Sequence, residues 1–121
     1  MKIINVGSVP KAVSMSTLFT GGQVTSQPIF PPGASQHFVA SQVTFAAGAR
    51  NKLHTHTTDQ ILVITAGRGY CATETEKVEV TVGDVILFPA GEKHWHGATK
   101  DSSFSHIYIN GAGSKSEQVG E

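Results

Sequence analysis

Apolar residues along this chain come in short, β-branched runs that alternate with polar ones, and glycine, proline and threonine punctuate the intervals. No window sustains a 3.6-residue apolar repeat, so the pattern predicts strands rather than helices. Residues 2–6 read as a short leading strand, and Thr17 to Thr25 as one strand kinked at Gly21-Gly22. Pro28 to Gly33 reads as a loop, because consecutive prolines cannot feed a central ladder. From His37 to Ala46 the alternation is clean: Val39, Ser41, Val43 and Phe45 share one side, and Phe38, Gln42 and Thr44 the other.

Gln60 to Thr65 is apolar between its ends, which predicts a strand buried on both faces. Ala66-Gly67-Arg68-Gly69 then reads as a tight turn, with Tyr70 to Thr75 pairing back after it. Lys77 to Val82 sets Val78, Val80 and Val82 on one face. Further strands are expected over Val85 to Phe88, Lys93 to Thr99 and Phe104 to Asn110, each preceded by turn residues. The small, polar stretch from Gly111 onward reads as a frayed tail. About nine or ten short strands of this kind suit a small barrel or a double-sheet jelly roll. The expected organisation is one all-β domain over residues 1–121, with its core at about 17–110.

Composition narrows the partners. Nine basic and nine acidic residues cancel, leaving no electrostatic footprint for nucleic acid or an anionic membrane. Charged residues are only 15% of the chain, which points to surface covered by another subunit and hence to a homodimer or higher homo-oligomer. The single cysteine, Cys71, excludes an internal disulfide and reads as a small inert hydrophobe. No stretch reaches the roughly 20 apolar residues of a membrane span, nor is a secretory signal visible. The expected location is the cytoplasm.

The chemistry concentrates in the histidines. Four of the six lie in two His-x-His pairs, His54-Thr55-His56 and His94-Trp95-His96. In a strand, alternate side chains share a face, so each pair aims two imidazoles in one direction. Imidazoles converging with an amide oxygen can hold a divalent metal; the competing role is that of polar residues lining a barrel around water. His106 shares parity with Tyr108 and Asn110, whereas Ile107 and Ile109 face the other way. Parity alone does not say which set faces inward. His37, alone at a strand start, reads as a surface residue, and Trp95, between two histidines, as pointing outward.

In spacing form the two regions are Gly48-x5-His54-x-His56-x3-Gln60-x6-Gly67 and Gly83-x5-Pro89-x-Gly91-x2-His94. Together they resemble the paired motifs of the cupin superfamily, which implies a double-stranded β-helix, the jelly-roll type of small barrel. The resemblance implies a metal held by His54, His56, Gln60 and His94. Cupins normally carry Glu where this chain has Gln60. An uncharged amide leaves a divalent site its full formal charge, favouring Lewis-acid chemistry over oxidised metal states.

A narrower set of segments is similar to the bacterial cupin hydroxynitrile lyases: Gly48-Ala49-Arg50, His54-Thr55-His56, Gln60, Val63 to Gly69 and Gly91 to Ala98. That resemblance implies a manganese-dependent lyase making or breaking the C–C bond of cyanohydrins, with iron, nickel, zinc or cobalt as other ions for the same donors. His96 is then the expected general base, its competing roles being a hydrogen-bond partner or a fifth ligand. His106 is the second expected catalytic residue, orienting the substrate together with Asn110 if their face of the strand is the cavity. Thr20, Ser41, Val43 and Asn110 are the expected walls of the small-molecule pocket. Two other functions compete: a metal-dependent cupin oxygenase or isomerase, and a non-catalytic module binding metal or a small ligand.

Overall fold

Alternation such as that of His37 to Ala46 requires a sheet with one wet and one dry face, and the chain builds two from twelve strands. The computed structural model describes residues 1–121. In order the strands are β1 (Ala12–Val13), β2 (Phe19–Thr20), β3 (Val24–Ile29), β4 (Phe38–Phe45), β5 (Arg50–Asn51) and β6 (His54–His56). They continue with β7 (Gln60–Thr73), β8 (Lys77–Thr81), β9 (Val85–Phe88), β10 (His94–Ala98), β11 (Phe104–Gly111) and β12 (Ser116–Gln118). No leading strand forms at residues 2–6. Instead Val6–Ser8 make a 3-10 turn, capped by the Asn5 side chain, which accepts from the Gly7 N–H. No helix is long and apolar enough to cross a membrane.

One sheet orders the strands β1-β3-β4-β11-β7-β9, and the other β2-β5-β10-β7-β8, with β6 on β10 and β12 on β6. All pairings are antiparallel. Strand β7 belongs to both sheets: Gln60 to Gly67 lie against β11, and Gly69 to Thr73 against β10. The tight turn expected at Ala66–Gly69 is therefore absent. Gly67 instead sits at φ 70° beside a register shift between Ser105 and His106, which steers the strand from one sheet to the other. A Cβ there would overlap the Ser103 carbonyl. Glycine marks a bulge here.

Other elements differ for similarly local reasons. Thr17 to Thr25 is two strands, since Gly21 and Gly22, both with positive φ, carry the chain between sheets: β2 pairs with β5 and β3 with β4. Strand β3 runs on through Pro28 to Ile29. Strand β1 pairs only with Thr25 and Ser26, so the missing proline N–H falls beyond its end. The stretch from Gln60 to Thr65 is buried on one face only: Gln60, Leu62 and Ile64 point inward, whereas Ile61 and Thr65 are exposed. Of the three valines near β8, only Val80 is buried, because β8 is an edge strand that the core covers at its middle. The C-terminal stretch expected to fray adds β12 to β6, with Ser116 opposite His56 and Gln118 opposite His54.

The core lies between the sheets. Phe45, Leu62, Ile64 and Phe104 are its largest fully buried apolar side chains, and burial of each contributes about 1.5–3 kcal/mol. Phe45 and Phe104 pack in a tilted arrangement with ring centroids 5.9 Å apart. Phe45 also packs against His96 and His106, so the apolar core adjoins the buried histidines.

Candidate metal centre

Strand pairing does for the histidines what their spacing alone cannot. Strands β6 and β10 run antiparallel with His54 opposite His94, so both His-x-His pairs turn into the barrel. Two bonds tie the preceding turn to the first motif: Gly91 N–H to His56 O at 2.9 Å, and Ala90 N–H to Asp59 Oδ1 at 2.8 Å. One ring nitrogen from each of His54, His56 and His94 lies within 4.8 Å of the others.

The hydrogen bonds prepare these nitrogens for a cation. His54 Nδ1 donates to the Lys52 carbonyl at 2.6 Å, and His94 Nδ1 to the Glu92 carbonyl at 2.9 Å. Each bond fixes the tautomer and leaves Nε2 with a lone pair. Gln60 Oε1 faces His94 Nε2 at 3.2 Å, an approach of two acceptors. Either a cation between them or a turned amide reconciles the pair; the buried Nε2 of His56, which has no partner, favours the cation. Burial holds His54 below the ordinary histidine range. It pushes His56 down to about 4, helped by His54, and His94 likewise to about 4 against the raising effect of the Glu92 bond. All three rings are thus neutral at pH 7, the state a metal requires. The donors fit a divalent ion.

Beyond them a second imidazole pair is buried. His106 Nε2 lies 3.1 Å from His96 Nδ1, and both rings are almost wholly enclosed. The parity question on β11 is resolved by its neighbours: flanked by β4 and β7, it turns His106, Tyr108 and Asn110 inward and the isoleucines outward. Asn51 locks His96 in place, its Oδ1 accepting the His96 backbone N–H at 2.8 Å and its Nδ2 3.3 Å from ring Nε2. His96 does not keep the ordinary pKa near 6.5 expected of an exposed base. Burial, then His106, holds it well below that value, and burial takes His106 to about 3.

His54, His56, Gln60, His96 and His106 line one cavity of about 290 Å³. Val43 and Asn110 are among its lining residues. Ser41 is buried on the same face but opens onto a separate groove, and Thr20 is exposed on β2, so neither is a wall of this cavity. Asn51 and Ser114 are lining residues that the spacing did not indicate. A larger groove, about 680 Å³, runs past Pro28, Phe30, Phe38 and Ile109 and carries no histidine or carboxylate. Away from the cavity, Trp95 carries the Arg50 guanidinium over its ring at 4.6 Å, His37 is exposed, and burial pushes the Cys71 thiol up to about 12.

A sequence model of the cupin domain matches residues 41–110, the stretch from β4 to the inward end of β11. The chain belongs to the cupin family. This cupin is 39% identical to an (R)-mandelonitrile lyase of Granulicella tundricola over 110 residues, 90% of this chain and 83% of that protein. Among solved structures it resembles a cupin-like protein of Thermotoga maritima, with a TM-score of 0.83 at 29% identity, covering 100% of this chain and 90% of that one. The polyketide cyclase RemF of Streptomyces resistomycificus has a TM-score of 0.86 at 15% identity, covering 98% of this chain and 85% of that one, a likeness of fold alone. The all-β double-stranded β-helix is thus established for this cupin, along with a three-histidine cluster that could hold a metal ion.

Proposed function

We propose that this cupin is a metal-dependent lyase of the hydroxynitrile type, breaking or making the C–C bond of small cyanohydrins. The observation that carries the reading is the pairing, in one cavity, of a cation cluster without a carboxylate and two buried imidazoles bonded to each other. The 39% identity to a mandelonitrile lyase supports the same reaction class. Held by His54, His56, His94 and Gln60, a divalent ion, manganese in first place, supplies Lewis-acid polarisation of a substrate oxygen when bound.

The chain's own residues carry the proton. Burial keeps His96 and His106 neutral, and His106 Nδ1, the one ring nitrogen of the pair without a partner, is open to accept the cyanohydrin hydroxyl proton. As that O–H bond opens, the oxygen lone pair forms the carbonyl. The C–CN bond breaks with its electrons on cyanide, which takes the proton back from the imidazole as HCN. Phe45 and Tyr108 offer apolar surface to the organic group, and enclosure keeps water from competing. The reverse sequence adds cyanide to an aldehyde.

The test is cyanide release from racemic mandelonitrile by wild type, metal-stripped protein, His96→Ala and His54→Ala. Release by wild type that falls in the other three supports the reading. Release indifferent to stripping overturns it.

A second copy of the chain is the proposed partner. On the outer face, Leu87, Ile61, Ile109 and Ala40 stand opposite one another across β9, β7, β11 and β4 as one apolar row. Leu87 is 59% exposed. Such a row matches the low charge content and suits an isologous contact.

A further inference from the structure

Four buried side-chain atoms have no hydrogen-bond partner: His56 Nε2, His106 Nδ1, Asn110 Oδ1 and Ser114 Oγ. All four residues line the cavity of the histidines. The cation cluster accounts for His56, and the proton-transfer pair for His106. The proton-transfer steps proposed above use neither of the other two.

Asn110, 8% exposed, stands directly opposite Gln60 in the register of β11 with β7. Four residue steps along β11, about 14 Å, separate it from His106. Asn110, with Gln60 across from it, therefore stands at the metal-ligand end of the cavity, away from His106. Ser114 comes back to Asn110's end through the turn Gly111–Ser114, where the Ser114 N–H donates to Gly111 O at 3.1 Å and Gly113 takes φ 80°. The turn is clamped by backbone groups: Gly111 N–H to Thr58 Oγ1 at 3.0 Å, Ala112 N–H to His37 O at 2.9 Å and Lys115 N–H to Thr57 Oγ1 at 2.9 Å. None of these bonds uses the Ser114 hydroxyl. It is free for a ligand.

We propose that Asn110 Oδ1 and Ser114 Oγ form a second polar subsite, which recognises a hydroxyl on the organic part of the substrate. An amide oxygen only accepts, so its partner must donate, whereas a serine hydroxyl can take either role. A hydrocarbon substituent packed into this space would leave both atoms desolvated and unpaired, at a cost to binding. A substituent bearing a hydroxyl satisfies them. The preferred substrates are thus small hydroxynitriles, or their parent carbonyl compounds, that carry a second hydroxyl group. The proposal rests on the lyase reading for the cavity's role as substrate site, but its test does not require turnover.

Calorimetric titration of the manganese-loaded protein with benzyl alcohol and its ortho-, meta- and para-hydroxy derivatives reads the subsite directly. At least one hydroxylated isomer is expected to bind about tenfold more tightly than benzyl alcohol. That gain should vanish in Ser114→Ala and in Asn110→Leu, with benzyl alcohol itself little affected. Binding of all three isomers within twofold of benzyl alcohol in wild type overturns the proposal, as does a gain that survives both substitutions; failure of all four alcohols to bind overturns it too. The wild-type comparison needs no variant to fold. If mandelonitrile is cleaved but the gain is missing, the subsite alone falls. If the gain is present and no cyanide is released, the lyase reading falls and the subsite stands.

Discussion

His94 Nε2 and Gln60 Oε1 face each other at 3.2 Å across the barrel, and the bond from His94 Nδ1 to the Glu92 carbonyl makes both of them acceptors. A divalent ion held by both residues would turn a mutual repulsion into coordination. Manganese added to metal-free protein should therefore raise its thermal midpoint. At one hundred times the dissociation constant, linkage stabilises the folded state by about 2.7 kcal/mol. His54→Ala should abolish the shift and Gln60→Leu should reduce it. Unchanged melting of wild type across a manganese titration would count against the site.

Loss of the inner imidazoles should separate chemistry from metal binding. In His96→Ala and His106→Ala, cyanide release should fall by about 10²–10⁴, while metal content measured by mass spectrometry stays at the wild-type level. His54→Ala should lose both. A His96→Ala protein that loses its metal would make this residue a ligand and not a proton carrier.

The same burial sets the acid response of the metal-free protein. Unfolded histidines take up protons below about pH 6.5, whereas His106 resists protonation until about 3, and His56 and His94 until about 4. Between those limits the unfolded chain binds more protons, so stability is complete above about pH 6.5 and falls as the pH drops toward 3. His106 alone should cost about 2 kcal/mol at pH 5, or on the order of 5–10 °C in melting temperature. Melting curves from pH 7.5 to 4.5 check this, and His106→Gln should flatten the profile. Stability that rises on acidification would refute it.

The row through Leu87 and Ile61 predicts self-association. Sedimentation should report a species larger than one chain, and Leu87→Lys should shift it toward the monomer without lowering the melting temperature of the separated chain. A wild-type monomer at high concentration would remove the interface.

Much of this site is legible in the letters because metal ligation by strands is a local arithmetic. His54 and His56, or His94 and His96, share a face by parity wherever the strand lies. Their spacing to Gln60, Gly83 and Pro89 carries the resemblance to cupins. Asn51 and Ser114 were not legible, for Asn51 is an unspecified position of the first motif, Ser114 lies outside both motifs, and each reaches the cavity through contacts made far along the chain. Asn51 meets His96 across 45 residues, and Ser114 depends on a turn clamped to Thr57 and Thr58. Gly67 shows the limit of punctuation: a glycine between two β-branched runs marks a turn or a bulge with the same letter. Only its partner strand, with the shift at Ser105, separates the two.

By itself, then, the sequence determined an all-β chain with two pairs of aligned imidazoles and an amide, Gln60, at the motif position of a carboxylate, because side-chain parity and motif spacing act over a few residues. The tertiary structure decided which face of β11 is the inside, that His96 and His106 meet, that Thr20 stands clear of the cavity, and that the C-terminal turn joins it. Those outcomes depend on which strands lie next to one another. Such pairing is settled by burial summed over the whole barrel.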